Sequence, residues 1–460
     1  MPVGRGRSVA VVGEQKSMLG LIRQIRGQWT GSSSVRIFVV VLVIVAIPLL
    51  IRTREPQIAP WDELYHLSYV QYVYEGSIPK PGDALNTWSR EVFSCRPVYP
   101  FGVMTLVPCG EIGEPLNYPE GGTNTAGYWP PIYYAIVALL VRLQSLVMSD
   151  PFIAARQATA IIWAFGVATV AVGARRLGAS LGSLTLIAAV LSSLPAAYFH
   201  SAFVTPHASG PLLVGLALML FTSSWSGRRR ALGWLGMAAL TALTVPHAVG
   251  GFAAIALAEV FRGLKRSPCD GAPGTRMPRF LHRTAPPALA AVGAAAASTG
   301  WSRLQGTRFS GWDVGTNPDL AQSAAPDPLT LDAVLGAVWR FLPHSLDWVQ
   351  FSSTTALFLS STWALVLVAG VGSLLLGNAG GQNTGTAPLA ASLLVVGITF
   401  SIYIEDYMLV PVQSRYGMTL IIVGLVLAAT SVRNRGAEVG IVALSGMTYI
   451  LGYGLPIFVP

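Results

Sequence analysis

The residues best suited to chemistry lie in a short polar stretch that follows the first apolar run of the chain. Asp62, Glu63 and His66 fall within one predicted helical turn, because residues three and four positions apart share a helix face. A carboxylate in this place can take a proton from a hydroxyl group, as a general base does. The same residues also suit an ordinary helix N-terminus, with Asp62 as its cap and Glu63 in its first turn. Both interpretations stay open, and we favour the catalytic one.

Further polar residues are predicted to lie at the same end of the apolar runs. Ionisable residues at membrane depth are costly and by default mark a functional site. Simpler roles also exist: Arg156 can extend to lipid headgroups, and His207 and His247, which follow prolines, can cap backbone groups. The candidate substrate- and phosphate-binding residues are His66, Tyr128, Tyr133, Arg156, His207, His247, Arg415 and Tyr416.

The elements that must position these residues are membrane helices. Of the 460 residues, 52% are hydrophobic and 11% are charged, whereas a soluble domain carries about 25% charged residues. The composition therefore predicts an all-α polytopic membrane protein. The net charge of +9 does not indicate nucleic-acid binding, because no RNA- or DNA-binding pattern accompanies it.

A membrane-spanning helix needs about 20 apolar residues, and we predict eleven spans. They lie near 35–51, 154–174, 181–200, 207–225, 231–246, 247–262, 285–301, 353–376, 388–404, 412–431 and 437–456. The pair at 231–262 is short and is broken at Val245-Pro246-His247.

The distribution of charge decides how the apolar run at 130–148 is placed. If this run lies along the membrane surface, one side carries 19 basic and 4 acidic residues, and the other carries 11 and 17. Cytoplasmic loops are enriched in Lys and Arg, so the first side is predicted to be cytoplasmic. The run then forms a juxtamembrane helix, kept from spanning by Pro130-Pro131 and Arg142.

This map predicts the domain organisation. A basic cytoplasmic arm at 1–34 precedes a single transmembrane domain at 35–460. The domain includes a first external loop at 52–151, with juxtamembrane helices, and a second at 302–350. Long external loops are uncommon without a functional role. Cys95 and Cys109 share the first loop, where an oxidising exterior favours a disulfide between them.

Four short motifs resemble those of the GT-C class of integral-membrane glycosyltransferases. The stretch Pro60-Trp61-Asp62-Glu63-Leu64-Tyr65-His66 is similar to the acidic motif of a bacterial branch with the signature Pro-Asp-Glu-x-x-His. The stretch from Tyr128 to Tyr134 resembles its His-x-Pro-x-Tyr-Tyr element. Two arginine motifs complete the resemblance, Arg156 with Arg175-Arg176-Leu177 and Ser414-Arg415-Tyr416.

The resemblance implies a GT-C-like fold and an inverting sugar transfer from a polyprenyl-phosphate donor on the outer face of the plasma membrane. The acceptor would be a cell-envelope glycan, lipid or protein. Asp62 then acts as general base with Glu63 beside it, and Arg156 and Arg415 bind the phosphate. No cofactor is predicted with certainty, and a divalent cation stays open. A transporter or flippase of a lipid-linked glycan, or a non-catalytic assembly subunit, stays open as an alternative.

Overall fold

The computed structural model of the chain describes residues 33–59, 62–98, 102, 105, 107–265, 276–308, 354–376, 385–407, 414–432 and 434–454. The structure is 78% helix, and no β-strand occurs among the described residues. The basic arm and most of the second external loop fall outside them. The α-helices, in chain order, are α1 Ser33–Arg52, α2 Glu63–Tyr74, α3 Thr87–Cys95, α4 Ile132–Gln144, α5 Pro151–Arg176, α6 Leu184–Ser193, α7 Pro195–Ala202, α8 Gly210–Phe221, α9 Gly227–Ala242, α10 Val249–Lys265, α11 Arg276–Thr307, α12 Thr354–Leu376, α13 Thr386–Tyr407, α14 Ser414–Ser431 and α15 Arg435–Gly454.

Several of these helices are suited to a lipid bilayer. Within the described ranges, four stretches are long and apolar enough to cross a membrane, namely Ser33–Arg52, Pro151–Arg176, Pro246–Leu264 and Phe358–Leu375. The bent pair of α6 and α7 makes a fifth if it counts as one span. Large apolar side chains also cover the outer surface of α1 and α11, including Val39, Ile47 and Val292. Exposed apolar surface on this scale indicates a membrane protein.

Prolines set the breaks between helices. Pro195 separates α6 from α7, which bend by 69° relative to one another, a bend that the sequence reading did not predict. Pro246 opens a short 3₁₀ turn at Pro246–Ala248 between α9 and α10, so the predicted break at this position is confirmed. A proline has no backbone N–H to donate and clashes with the preceding turn, so each helix ends before it.

The first loop contains short helices and one disulfide, which joins the end of α3 to a turn. The 13-residue helix α4 begins directly after Pro130-Pro131 and is about 20 Å long at 1.5 Å per residue, less than the roughly 30 Å bilayer core. Arg142 on α4 donates to the backbone carbonyl of Tyr74 and lies over its ring, so α4 packs on α2. The predicted disulfide is present: Cys95 and Cys109 are bonded, with their Cα atoms 4.4 Å apart.

One end of the helix bundle gathers the basic residues. Arg230 on α9 and Arg262 on α10 both bond the carbonyl of Phe221 and both pair with Glu259. At the same end, Ser34, Arg176 and Trp225 line one cavity of about 800 Å³, which places the start of α1 beside the ends of α5 and α8.

The opposite end gathers the candidate site residues. The backbone N–H of Val204 donates to Glu63, and Trp301 Nε1 donates to the carbonyl of Tyr128 at 3.0 Å. Thr419 near the start of α14 lies 3.4 Å from the carbonyl of His247. These contacts join helix ends from separate parts of the chain at the end that holds the candidate site residues.

Candidate functional site

Asp62 has an unusual backbone conformation at the start of α2. Its φ of 62° and ψ of −17° lie in the left-handed region, where Glu120 is the only other non-glycine residue among those described. Its side chain makes no capping hydrogen bond to the helix, although it occupies the capping position. Asp62 and Glu63 therefore have the positions that the cap interpretation predicts, but its capping hydrogen bond from the helix to the Asp62 side chain is not formed. Left-handed residues cost free energy and often occur at functional sites, and Asp62 is also partly exposed.

The neighbouring carboxylate has a different environment. Glu63 is 1% exposed and pairs with Arg156, which is 0% exposed. The pair is bidentate, with Arg156 Nη2 2.7 Å from Glu63 Oε2 and Nε 2.8 Å from Oε1. The same carboxylate also accepts from the backbone N–H groups of Ala59 at 2.8 Å and Val204 at 3.0 Å. Every oxygen of Glu63 is thus occupied by the protein itself.

The remaining donors of Arg156 are used within the protein as well. Nη1 donates to the carbonyl of Glu55 at 2.7 Å, and Nη2 donates to that of Gln57 at 2.5 Å. The guanidinium lies between the rings of Phe152 and Phe203, with its carbon 4.2 and 4.6 Å from their centroids. Arg156 therefore fastens the segment before α2 to α5 and to the end of α7.

We correct two assignments on this basis. The sequence reading counted Glu63 with Asp62 as catalytic and placed Arg156 on a substrate phosphate. The structure joins them in a buried pair that leaves neither side chain a surface for substrate. Both residues hold the site together rather than contact the substrate.

A line of aromatic residues continues from Asp62 through α2 and α4. Tyr134 OH lies 2.7 Å from His66 Nδ1, and the ring of Tyr134 stacks on that of Tyr69 at 3.7 Å. Burial raises the pKa of Tyr134 well above its usual value, and the neighbouring Tyr69, Tyr133 and Asp62 add to this effect. A neutral phenol both donates and accepts hydrogen bonds, so the direction of this bond depends on the tautomer of His66.

The centre of the site is Trp129. Three histidines meet its ring edge to face or nearly so, at centroid distances of 5.8 Å for His66, 5.1 Å for His207 and 5.5 Å for His247. The rings of His207 and His247 also stack on one another at 5.7 Å. The structure thus brings together three predicted residues from α2 and from the two loops before α8 and α10. Trp129 and His247 are partly exposed, so this cluster is open on one side.

Tyr133 links the elements around this cluster. Its side chain is fully buried, and its hydroxyl lies 2.8 Å from Thr159 Oγ1 and 3.1 Å from the backbone N–H of Thr205, which donates to it. Tyr133 therefore positions the loop that carries His207. We correct its predicted role from substrate binding to positioning.

Tyr128, Arg415 and Tyr416 are the remaining predicted site residues. Tyr128 is partly buried, and its carbonyl accepts from Trp301 on α11. Arg415 and Tyr416 lie in the first turn of α14, before Thr419, which contacts the His247 carbonyl. The backbone of this turn is therefore at the end of the bundle that holds the site. The side chains of Arg415 and Tyr416 lie outside the described residues, and their roles stay predictions.

Sequence reasoning missed several residues that the structure places here. His200 in α7 contacts His207 at 5.4 Å and Trp163 at 6.0 Å, but it sits in an apolar helix with no motif around it. Tyr69 lies one turn after Tyr65, and this aromatic spacing was the available signal. Gln305 and Arg308 close the same region from α11. They stand within a long predicted loop, so nothing local marked them.

No group of three or more His, Cys, Asp or Glu side chains is arranged to hold a metal ion within the described part of the chain. No protein-family model matches the chain, and neither a curated protein nor a solved structure shows significant similarity to it.

Proposed function

We propose that this protein is a membrane glycosyltransferase that moves a sugar from a polyprenyl-phosphate donor to an acceptor hydroxyl. The reaction takes place at the extracytoplasmic face of the plasma membrane, in a GT-C-like arrangement of about eleven spans with a cytoplasmic N-terminus. The acceptor is a cell-envelope glycan, lipid or protein. The motifs after α1 and at the starts of α4, α5 and α14 support the proposal by their resemblance to that class.

The proposal rests mainly on the different environments of two adjacent carboxylates, those of Asp62 and Glu63. Glu63 is buried and accepts four hydrogen bonds from within the protein, whereas Asp62 is partly exposed and held in a left-handed conformation. Asp62 precedes the first residue of α2 and keeps part of its surface exposed, while the side chain of Glu63 is held inward. Asp62 is the general base, and the Glu63–Arg156 pair holds the backbone that presents it.

The aromatic cluster supports a role in sugar binding. The partly exposed ring of Trp129, with His66, His207 and His247 around it, offers an apolar face edged by groups that donate and accept hydrogen bonds. A sugar ring presents the matching combination of C–H faces and hydroxyl groups. His66 of this cluster is on α2, which Asp62 directly precedes, so base and platform are parts of one unit.

The decisive experiment compares Asp62→Asn with Glu75→Gln. Asparagine tolerates the left-handed region nearly as well as aspartate, so the substitution removes the charge while keeping the backbone. Glu75 is an exposed carboxylate at the other end of α2 and serves as the matched control. Purified protein in nanodiscs is assayed for sugar transfer from a polyprenyl-phosphate donor and, separately, for donor binding.

We expect Asp62→Asn to bind the donor normally and to transfer sugar about 10²- to 10⁴-fold more slowly, as the loss of a general base predicts. Glu75→Gln should transfer at the wild-type rate. Near wild-type transfer by Asp62→Asn would remove the base assignment. A wild-type protein that moves lipid-linked glycan across the bilayer without transfer would instead make it a transporter or flippase. If it neither transfers nor transports, it is a non-catalytic assembly subunit.

A further inference from the structure

The C-terminal end of α11 brings a guanidinium and an amide side by side. Arg308 Nη1 donates to Gln305 Oε1 at 3.0 Å. One turn earlier, Trp301 Nε1 donates to the carbonyl of Tyr128, which fixes this end of α11 against the segment that carries Trp129. The two side chains therefore have a fixed position next to the aromatic cluster.

Both side chains keep hydrogen-bond donors for which the described part of the chain supplies no acceptor. Gln305 is 0% exposed, and its Nε2 has no acceptor among the described residues. A buried donor without an acceptor is unfavourable, because it has lost its hydrogen bonds to water. Arg308 is partly buried and pairs with no carboxylate among the described residues, where its side chain makes the single bond to Gln305. A bound ligand that supplies the acceptors would explain why these donors are buried.

The charge of Arg308 acts on the aromatic cluster. Burial raises the pKa of Tyr69, and the guanidinium of Arg308 opposes that rise, which requires the two groups to be near each other. The hydroxyl of Tyr69 donates to the carbonyl of Trp129 at 3.0 Å. An anion bound at Arg308 would therefore lie close to Trp129.

The chemistry of the donors selects the ligand. Several N–H groups, of which some carry a positive charge, suit an anion with several acceptor oxygens, and arginine matches phosphate in particular. The adjacent Leu304 is exposed on the apolar outer surface of α11, so the pair sits at the edge of a surface suited to lipid. An anion that reaches this position from the bilayer is the phosphate of a lipid.

We propose that Arg308 and Gln305 form a binding site for the phosphate group of a lipid, next to Trp129. The identification of that lipid as the polyprenyl-phosphate donor rests on the proposed function. An ordinary phospholipid headgroup presents the same phosphate chemistry, and the experiment separates the two sources.

The test measures binding rather than sugar transfer. The full-length protein in nanodiscs is cross-linked to a photoreactive polyprenyl phosphate, with polyprenyl phosphate, polyprenol and phosphatidylglycerol as competitors. The variants are Arg308→Ala and Gln305→Glu, with Arg303→Ala as the control, because Arg303 is an exposed arginine on the same helix. Thermal unfolding is measured for each.

We expect Arg308→Ala to bind polyprenyl phosphate about 10- to 100-fold more weakly, to bind polyprenol as the wild type does, and Arg303→Ala to behave as wild type. Gln305→Glu gives the sharper result. Its carboxylate replaces the unused donor and pairs with Arg308, so phosphate binding should fall while thermal stability rises. If Gln305 had only a structural role, phosphate binding and thermal stability would change in the same direction.

Unchanged affinity for polyprenyl phosphate in both variants would overturn the proposal, as would an equal loss of polyprenol binding. If phosphatidylglycerol competes as well as polyprenyl phosphate, the phosphate site stands and the identification of its ligand as the sugar donor falls. Failure of the glycosyltransferase proposal is read separately, from the transfer assay on Asp62→Asn.

Discussion

The guanidinium of Arg156 lies 2.7 Å from the carboxylate of Glu63, and neither side chain reaches the surface. The pair joins α5 to the start of α2 across 93 residues of sequence. It also collects backbone groups from the segment before α2 and from the end of α7. This single contact fixes where Asp62 stands relative to the loop that carries His207.

The first prediction concerns the stability of this pair. Glu63→Gln leaves the charge of Arg156 buried and uncompensated, so the variant should lose about 3–5 kcal/mol of stability. The measurement is unfolding of the purified protein followed by circular dichroism. Glu75→Gln, which removes an exposed carboxylate, should change stability by less than about 0.5 kcal/mol.

A double variant checks the cause of that loss. Glu63→Gln combined with Arg156→Met removes both charges, so it should lose less stability than the two single variants together. If Glu63→Gln alone is as stable as the wild type, the pair does not fasten α2 to α5.

The second prediction concerns the left-handed backbone of Asp62. A residue with a Cβ and no short polar side chain pays about 1–2 kcal/mol in this region, whereas glycine pays nothing. Asp62→Ala should therefore be less stable than Asp62→Gly by roughly that amount, with Asp62→Asn nearer to the wild type. Thermal unfolding of the three variants measures the order, and equal stability of Asp62→Ala and Asp62→Gly would mean that the backbone carries no such strain.

The third prediction concerns the disulfide of the first loop. Cys95 and Cys109 are 14 residues apart, and closing a loop of this size contributes about 3 kcal/mol in the chain-entropy model. Non-reducing peptide mapping should recover the two cysteines as one linked fragment. Replacing both by serine should lower stability by that order, and free alkylation of both in native membranes would contradict the bond.

The fourth prediction concerns the two ends of the bundle. Ser226 lies beside Arg230 at the basic end, and Ser302 lies next to Trp301 at the end that holds the site; both are exposed. Single cysteines are introduced at each position in a Cys269→Ser background that keeps the disulfide. In intact cells, an impermeant thiol reagent should label Ser302→Cys alone, and a permeant one should label both.

The opposite labelling pattern would show that the predicted orientation in the membrane is wrong. Labelling of Ser226→Cys by the impermeant reagent would show that the basic end faces outward. Labelling of both positions by that reagent would mean that the two ends do not lie on opposite sides of the membrane.

Local chemistry explains why much of this protein follows from its sequence. Apolar runs and prolines act on their own segments, so they predict that α4 begins after Pro131 and that the chain breaks at Pro246. The cysteine pair is predictable for a related reason, since both residues share one short loop. Asp62, His66, His207 and His247 were also found in this way, as polar residues at the ends of apolar runs.

The partners of the polar groups were decided only by the tertiary structure. Nothing in the sequence around Glu63 distinguishes it from Asp62, yet one carboxylate is buried against Arg156 and the other is partly exposed. The arrangement of three histidines around Trp129 likewise joins segments far apart in sequence. Helix formation depends on residues that are neighbours in sequence. The partner of a buried charge depends instead on which distant donors the packing brings within about 3 Å of it, and a single sequence does not show which donors these are.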